Sequence, residues 1–278
     1  MLIRSKNLLT MLAVAGMTAL ASQASAATYV AGDLILGFRA TGGTGASSNL
    51  LVNLGQADTV FRDATSNLLN FVDIGTLLTS TYGSDWNTRS DLFWGVAGVR
   101  SNSNIAGAVD GDPTRTNYLS AEQTTVSPGT QQSTAWTIGT STARADVAAR
   151  IISMAGVFDA AAPEASLTNV LDASNGNSWS AYNDGATSFT LSGIIEGDFG
   201  SGTSGTALDL YRILDRTTGA NPTGTVGVGS YEGTFTISDA GQVSFAVTAA
   251  VPEPSRALLG GLGLAGVLFR RRRVKATA

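Results

Sequence analysis

The 278-residue chain contains no cysteine and no histidine. Without cysteine there is no disulfide, no thiolate metal ligand and no thiol nucleophile, so the fold must draw its stability from its core. Without histidine there is no Ser-His-Asp triad, few routes to a zinc site, and none of the usual proton shuttles near neutral pH. Lysine is confined to Lys6 and Lys275; between residues 28 and 250 the chain carries nine arginines against twenty carboxylates, a net charge of −11. Phosphate binding wants a basic patch, so nucleic acid is not an expected partner. An acidic, lysine-free body suits a soluble extracellular protein, or one that binds cations or neutral glycans.

Both ends read as targeting segments. Arg4 and Lys6 precede an apolar stretch over residues 8–20, followed by small residues that include Ala24 and Ala26. A positive start, an apolar middle and an Ala-x-Ala site describe a secretory signal peptide over 1–26, cleaved after Ala26 or else after Ala27. At the other end stand Val251, Pro252, Glu253, Pro254 and Ser255, then an uncharged run over 257–269, then Arg270, Arg271, Arg272 and Arg273. As a helix that run of 13 residues would rise roughly 20 Å, short for a bilayer core of about 30 Å. Snorkelling arginines would help it span. Gly260, Gly261, Gly263 and Gly266 thin and weaken it, and leave a smooth face for another membrane helix. The four arginines place the tip inside and the body outside.

This tail, 249–278, resembles the PEP-CTERM sorting signal of exported bacterial proteins, a tail also called the ice-binding protein C-terminal domain. The resemblance rests on Val251–Ser255 as one motif, on the apolar run and on Arg270–Arg273, and it covers about a tenth of the chain. Arg256 departs from it, standing where an apolar or small residue is expected. The resemblance implies a transient stay in the inner membrane, processing by an exosortase-type enzyme at the Pro-Glu-Pro, and delivery to the cell surface or extracellular matrix. Residues 33–39, 82–86 and 92–98 also look like recurring stretches of such proteins, and they imply no activity.

The body, 27–248, reads as mainly β, a sandwich or jelly-roll-like arrangement with one or two short helices. Residues 33–39 and 49–54 suggest a hairpin around a glycine-rich loop. Residues 91–99 and 117–120 read as strands, as do 188–195 and 208–214. Residues 231–237 and 242–247 alternate about a turn at 238–241 and form the clearest hairpin. Helices are expected over 72–82, ending at Gly83, and over 142–158, where Val147, Ile151, Met154 and Val157 or Phe158 recur at helical steps.

Candidate sites are few. Asp110 and Asp112 flank a glycine at a spacing that suits oxygen ligation of calcium, but Arg115 stands at the sixth position where the helix–loop–helix calcium motif needs glycine; an Asp-Gly turn before Pro113 is the plainer reading. Glu196 and Asp198 offer a carboxylate pair of the kind glycoside hydrolysis uses, although as sequence they read more simply as a solvated turn. Trp86, Trp94, Trp136 and Trp179, with Tyr82, Tyr118 and Tyr182, could stack on sugars or pack in the core, and Trp86 and Tyr82 read as the best exposed of them. No regular Thr-x-Thr ladder marks an ice-binding face. Apart from that calcium candidate no cofactor is expected. The expectation is a structural or adhesive matrix protein without catalysis. The alternatives are a surface carbohydrate-binding module and a carboxylate-dependent glycan hydrolase or lyase, with extracellular polysaccharide as the shared candidate partner.

Overall fold

A computed structural model describes residues 29–100, 112, 115–137, 141–159, 167–183, 195–200, 207–214 and 229–248. The expected signal peptide, the tail from residue 249 onward, Asp110, and the strand expected at 188–195 except its last residue lie outside them. Among the described residues no helix is long and apolar enough to cross a membrane.

The body is mainly β with few helices, as expected. Its strands are β1 (Asp33–Ala40), β2 (Ser48–Gln56), β3 (Leu68–Asp73), β4 (Leu92–Val99), β5 (Asn117–Glu122), β6 (Thr168–Asp172), β7 (Glu196–Asp198), β8 (Ala207–Ile213), β9 (Ser230–Ile237) and β10 (Gln242–Ala246); the helices are α1 (Gly75–Tyr82), α2 (Ser141–Asp159) and α3 (Trp179–Asn183). The two stacked sheets of a sandwich are replaced by one antiparallel sheet in the order β3-β10-β9-β8-β5-β4-β1-β2-β6, with β7 paired to β4 beside β5. Periodicity marks strands but says nothing of which edges pair.

Alternation along each strand gives the sheet two apolar faces. Leu34, Leu36 and Phe38 of β1, Leu50 and Val52 of β2, and Phe235 and Phe245 of β9 and β10 belong to one buried cluster. Strands from opposite ends of the sheet share it, so the sheet curls around it. A single π-helical turn, Ala57–Phe61, sends Phe61 into the curl, with its ring 5.3 Å from Phe235 and 5.2 Å from Phe245. Helix α1 closes the mouth, burying Leu78 and Tyr82, and the Tyr82 hydroxyl donates to Phe38 O at 3.0 Å and accepts from Leu50 N at 3.1 Å. This helix starts at Gly75 rather than at 72 because Val72 and Asp73 are paired to β10. Gly83 ends it, with φ of 95°.

The outer face is covered by α2 and α3. Val147, Ile151, Met154 and Phe158 are buried against Ala97, Val99 and Leu119, in the spacing the sequence suggests. Helix α3 docks through one ring. Gly37 and Gly95 face each other across β1 and β4, and the Trp179 indole lies over the gap where two side chains are missing. A Cβ on Gly37 would fall 2.0 Å from Trp179 Cδ2, and one on Gly95 would fall 2.9 Å from Trp179 Cζ2.

The two kinds of glycine should behave oppositely. Gly37→Ala should destabilise the protein by about 1–3 kcal/mol through overpacking against Trp179. Gly156→Ala, in the last turn of α2 with nothing within 4 Å of the new methyl, should stabilise it by about 0.5–1 kcal/mol. Denaturant midpoints of the two variants check both signs.

Candidate functional site

The buried carboxylates are the chemically notable groups, and each sits where chain segments must be tied to the sheet. Asp112, ahead of β5, is 1% exposed. It accepts from the Tyr118 hydroxyl at 2.5 Å and from Arg212 Nε at 2.6 Å, and Arg62 Nη1 lies 2.9 Å away. Two guanidiniums on one carboxylate supply the positive charge that calcium would have supplied, and they repel a further cation there. Among the described residues no group of three acidic side chains is arranged to hold a metal ion. Burial, followed by the Asp112 charge, raises the Tyr118 phenol well above its ordinary value.

Glu196 and Asp198 are not a solvated turn. They form β7, and Glu196 is 4% exposed. Its carboxylate takes a two-pronged contact from Arg39, with Nε at 2.9 Å from Oε1 and Nη2 at 2.7 Å from Oε2, and Oε1 also accepts the Trp179 indole N–H at 2.6 Å. The same residue thus locks α3 onto the glycine pair and joins β7 to β1. Asp198 accepts from Gly200 N at 2.7 Å. Glu196 and Asp198 therefore have separate structural partners. The sequence hid this strand because three residues with a central glycine carry no periodicity.

The aromatic side chains pack in the core. Trp86, Trp94, Trp136, Trp179, Tyr82, Tyr118 and Tyr182 are all under 9% exposed. Trp86 and Tyr82, expected at the surface, are 3% and 0% exposed; Trp86 stands edge-on to Phe199 with centroids 5.1 Å apart. The edge of Trp86 lines a shallow, open groove of about 540 Å³ with Asp73, Thr76, Thr79, Ser80 and Asp239. The groove lies where α1 meets the β9–β10 turn. Gly75 and Gly241 bring the two backbones together there, and Ile74 N donates to Gly241 O at 2.9 Å. Hydroxyls and two carboxylates give it hydrogen-bonding capacity without a charged counterpart.

Asp209 on β8, a further buried carboxylate, has no exposure, and its described partners are all neutral donors. Oδ1 accepts from Gln123 Nε2 at 2.5 Å and from Thr234 Oγ1 at 2.9 Å. Oδ2 accepts from Gln132 N, Ser133 N and Ser133 Oγ, each at 2.8 Å. Hydrogen bonds to an ionised group contribute about 1.5–3 kcal/mol each, enough for five of them to offset the burial of one charge. Residues 123–133 are held to the sheet by this side chain, by the Tyr211 hydroxyl, which donates to Ser133 O at 3.0 Å, by Thr234 Oγ1, which accepts from Gly129 N at 3.3 Å, and by Gln123, whose own amide reaches Thr130 O at 2.9 Å and whose Oε1 accepts from Ser127 N at 2.8 Å. Tyr211 and Tyr231 pack beside it, each pushed up to about 12, first by burial and in part by the Asp209 charge. Sequence reasoning passed over Asp209. The signal was there: it shares the Tyr211 and Ile213 side of β8, an apolar face where a lone acid must have dedicated partners.

Glu122 differs from these three. Burial and, second, the Asp198 charge raise its carboxyl above the ordinary glutamate value. The folded state therefore holds this proton more tightly than the unfolded chain does, so its contribution is fully present below the unfolded value and is lost as pH rises through the folded one. Glu122→Gln should raise the melting temperature at pH 7, and the difference should disappear by about pH 4. Thermal melts of the two proteins across that range check the sign. Compared with protein-family models, curated proteins and solved structures, the chain finds no match in any of the three.

Proposed function

We propose that this protein is exported and sorted to the cell surface or extracellular matrix, where it acts as a structural or adhesive component rather than as an enzyme. One observation carries the reading: the ordered succession of Val251-Pro252-Glu253-Pro254-Ser255, an uncharged run and Arg270–Arg273 in a chain whose first 26 residues read as a signal peptide. In this reading the tail is held in the inner membrane until an exosortase-type enzyme acts at the Pro-Glu-Pro. The body fits the role in two ways. Its acidic, lysine-free composition suits life outside the cytoplasm. Its buried carboxylates Glu196, Asp112 and Asp209 are engaged by fixed partners, an arrangement that favours rigidity over turnover.

The groove beside α1 favours a second reading, a surface that binds neutral polysaccharide through Thr76, Thr79, Ser80, Asp73 and Asp239. The two readings are compatible, since a matrix component that touches glycan is an adhesive one.

Deleting residues 258–273 should release the body to the medium, with the Pro-Glu-Pro segment uncut. Fractionation of the producing cells and the mass of the mature protein check this; unchanged localisation and mass would show that the tail is no sorting signal.

A further inference from the structure

Gln123, at the end of β5, Asp209 on β8 and Thr234 on β9 meet in the middle of the sheet, and none of them is exposed. The Thr234 hydroxyl donates to Asp209 Oδ1 at 2.9 Å. The Gln123 amide nitrogen donates to the same oxygen at 2.5 Å and lies 3.2 Å from Thr234 Oγ1. The amide carbon is one bond of about 1.3 Å from that nitrogen, hence within about 4.5 Å of the hydroxyl oxygen. On the far side of the amide, Gln123 Oε1 accepts the backbone N–H of Ser127 at 2.8 Å. Acyl transfer needs these parts: a hydroxyl nucleophile, a carboxylate on its proton, a leaving nitrogen in reach of the same carboxylate, and a fixed N–H on the carbonyl oxygen.

We propose that Thr234 and Gln123 join in an intramolecular ester cross-link, formed with loss of ammonia and catalysed by Asp209. A small shift of Thr234 Oγ1 from the edge of the amide onto its face presents it to the carbonyl carbon, while Oε1 keeps the Ser127 N–H and Nε2 keeps Asp209. As the oxygen attacks, Asp209 takes the hydroxyl proton, and the negative charge that develops on Oε1 faces the Ser127 N–H. Collapse of the tetrahedral intermediate breaks the Cδ–Nε2 bond. Asp209 returns the proton to the nitrogen, which leaves as ammonia. One C–O bond replaces one C–N bond, no oxidant or cofactor enters, and Asp209 ends as the carboxylate it began as. Ammonia is diluted into solvent as ammonium, which draws the exchange forward. Burial keeps water from the ester that forms.

The neighbours favour this arrangement. The Tyr231 hydroxyl is 2.8 Å from Thr234 Oγ1, and with its ionisation pushed up to about 12 it stays a proton donor at neutral pH. By donating to Thr234 it directs the threonine hydrogen toward Asp209. Gly129 N, 3.3 Å from Thr234 Oγ1, is a further donor to it beside the Gln123 amide nitrogen. The link would span β8 and join residues 111 positions apart. In a chain without cysteine it would do what a disulfide does, constraining the unfolded chain across a long loop.

The test is the mass of the purified full chain under denaturing conditions, compared with the mass its own termini require. The expected result is a deficit of about 17 Da, one ammonia. Digestion should yield a single branched peptide joining the Gln123 and Thr234 segments, and alkaline hydroxylamine should split it. Thr234→Val should restore the full mass, and because masses are read on denatured protein the comparison stands even where that variant folds poorly. A full mass in the unsubstituted protein overturns the proposal, as does a deficit that maps to other residues or persists in Thr234→Val.

Discussion

A sheet buried on both faces leaves its inward polar groups no water to bind. Every such group needs a fixed partner or costs several kcal/mol. That constraint organises the body. The inner face is filled by rings and aliphatic chains from β1, β2, β9 and β10, with Phe61 delivered by the π-helical turn. The outer face is covered by elements that are not themselves strands, and three carboxylates tie segments down. Glu196 bonds the Trp179 indole of α3, Asp112 gathers Tyr118, Arg62 and Arg212, and Asp209 collects five neutral donors from 123–133 and β9. Two of the three use arginine. The third uses none among the described residues, and its neighbours are the ones with acyl-transfer geometry.

Small residues matter as much as charged ones. The paired Gly37 and Gly95 make the hollow that Trp179 fills, and the Glu196 acceptor fixes the ring in that hollow. Gly75 and Gly241 let α1 sit directly against the β9–β10 turn, which both closes the curl and shapes the hydroxyl-lined groove. Neither arrangement tolerates a Cβ. The glycine content thus serves specific close approaches as well as turns.

Much of the architecture was legible in the sequence. Strands β1, β2, β4, β5, β8, β9 and β10 and helix α2 carry enough alternation or helical spacing to be read directly. Val147, Ile151, Met154 and Phe158 are buried as their spacing implies. The elements that escaped are short or sit at the sheet edge: β3 and β6 expose much of their length, and β7 is three residues with glycine at its centre. The pairing order was not legible because a single curled sheet and two stacked sheets write the same period-two pattern. The site chemistry was least legible. Glu196 and Asp112 read as turn acids beside glycine, and their arginine partners Arg39, Arg62 and Arg212 lie far away in sequence. Trp86 and Tyr82 looked exposed because polar turn residues surround them, yet their rings fold inward.

The role outside the cell and the rigidity inside the body converge on residues 123–133. This segment has no helix or strand of its own, and loops of that kind normally open locally at little cost. If Asp209 secures it as described, the backbone amides of Gln132 and Ser133 belong to the same cooperative unit as β8. Native-state hydrogen exchange reads this directly. These two amides should exchange only through global unfolding, with the same free energy and denaturant dependence as the Tyr211 amide. Exchange at the rate of an open loop, insensitive to denaturant, would contradict it.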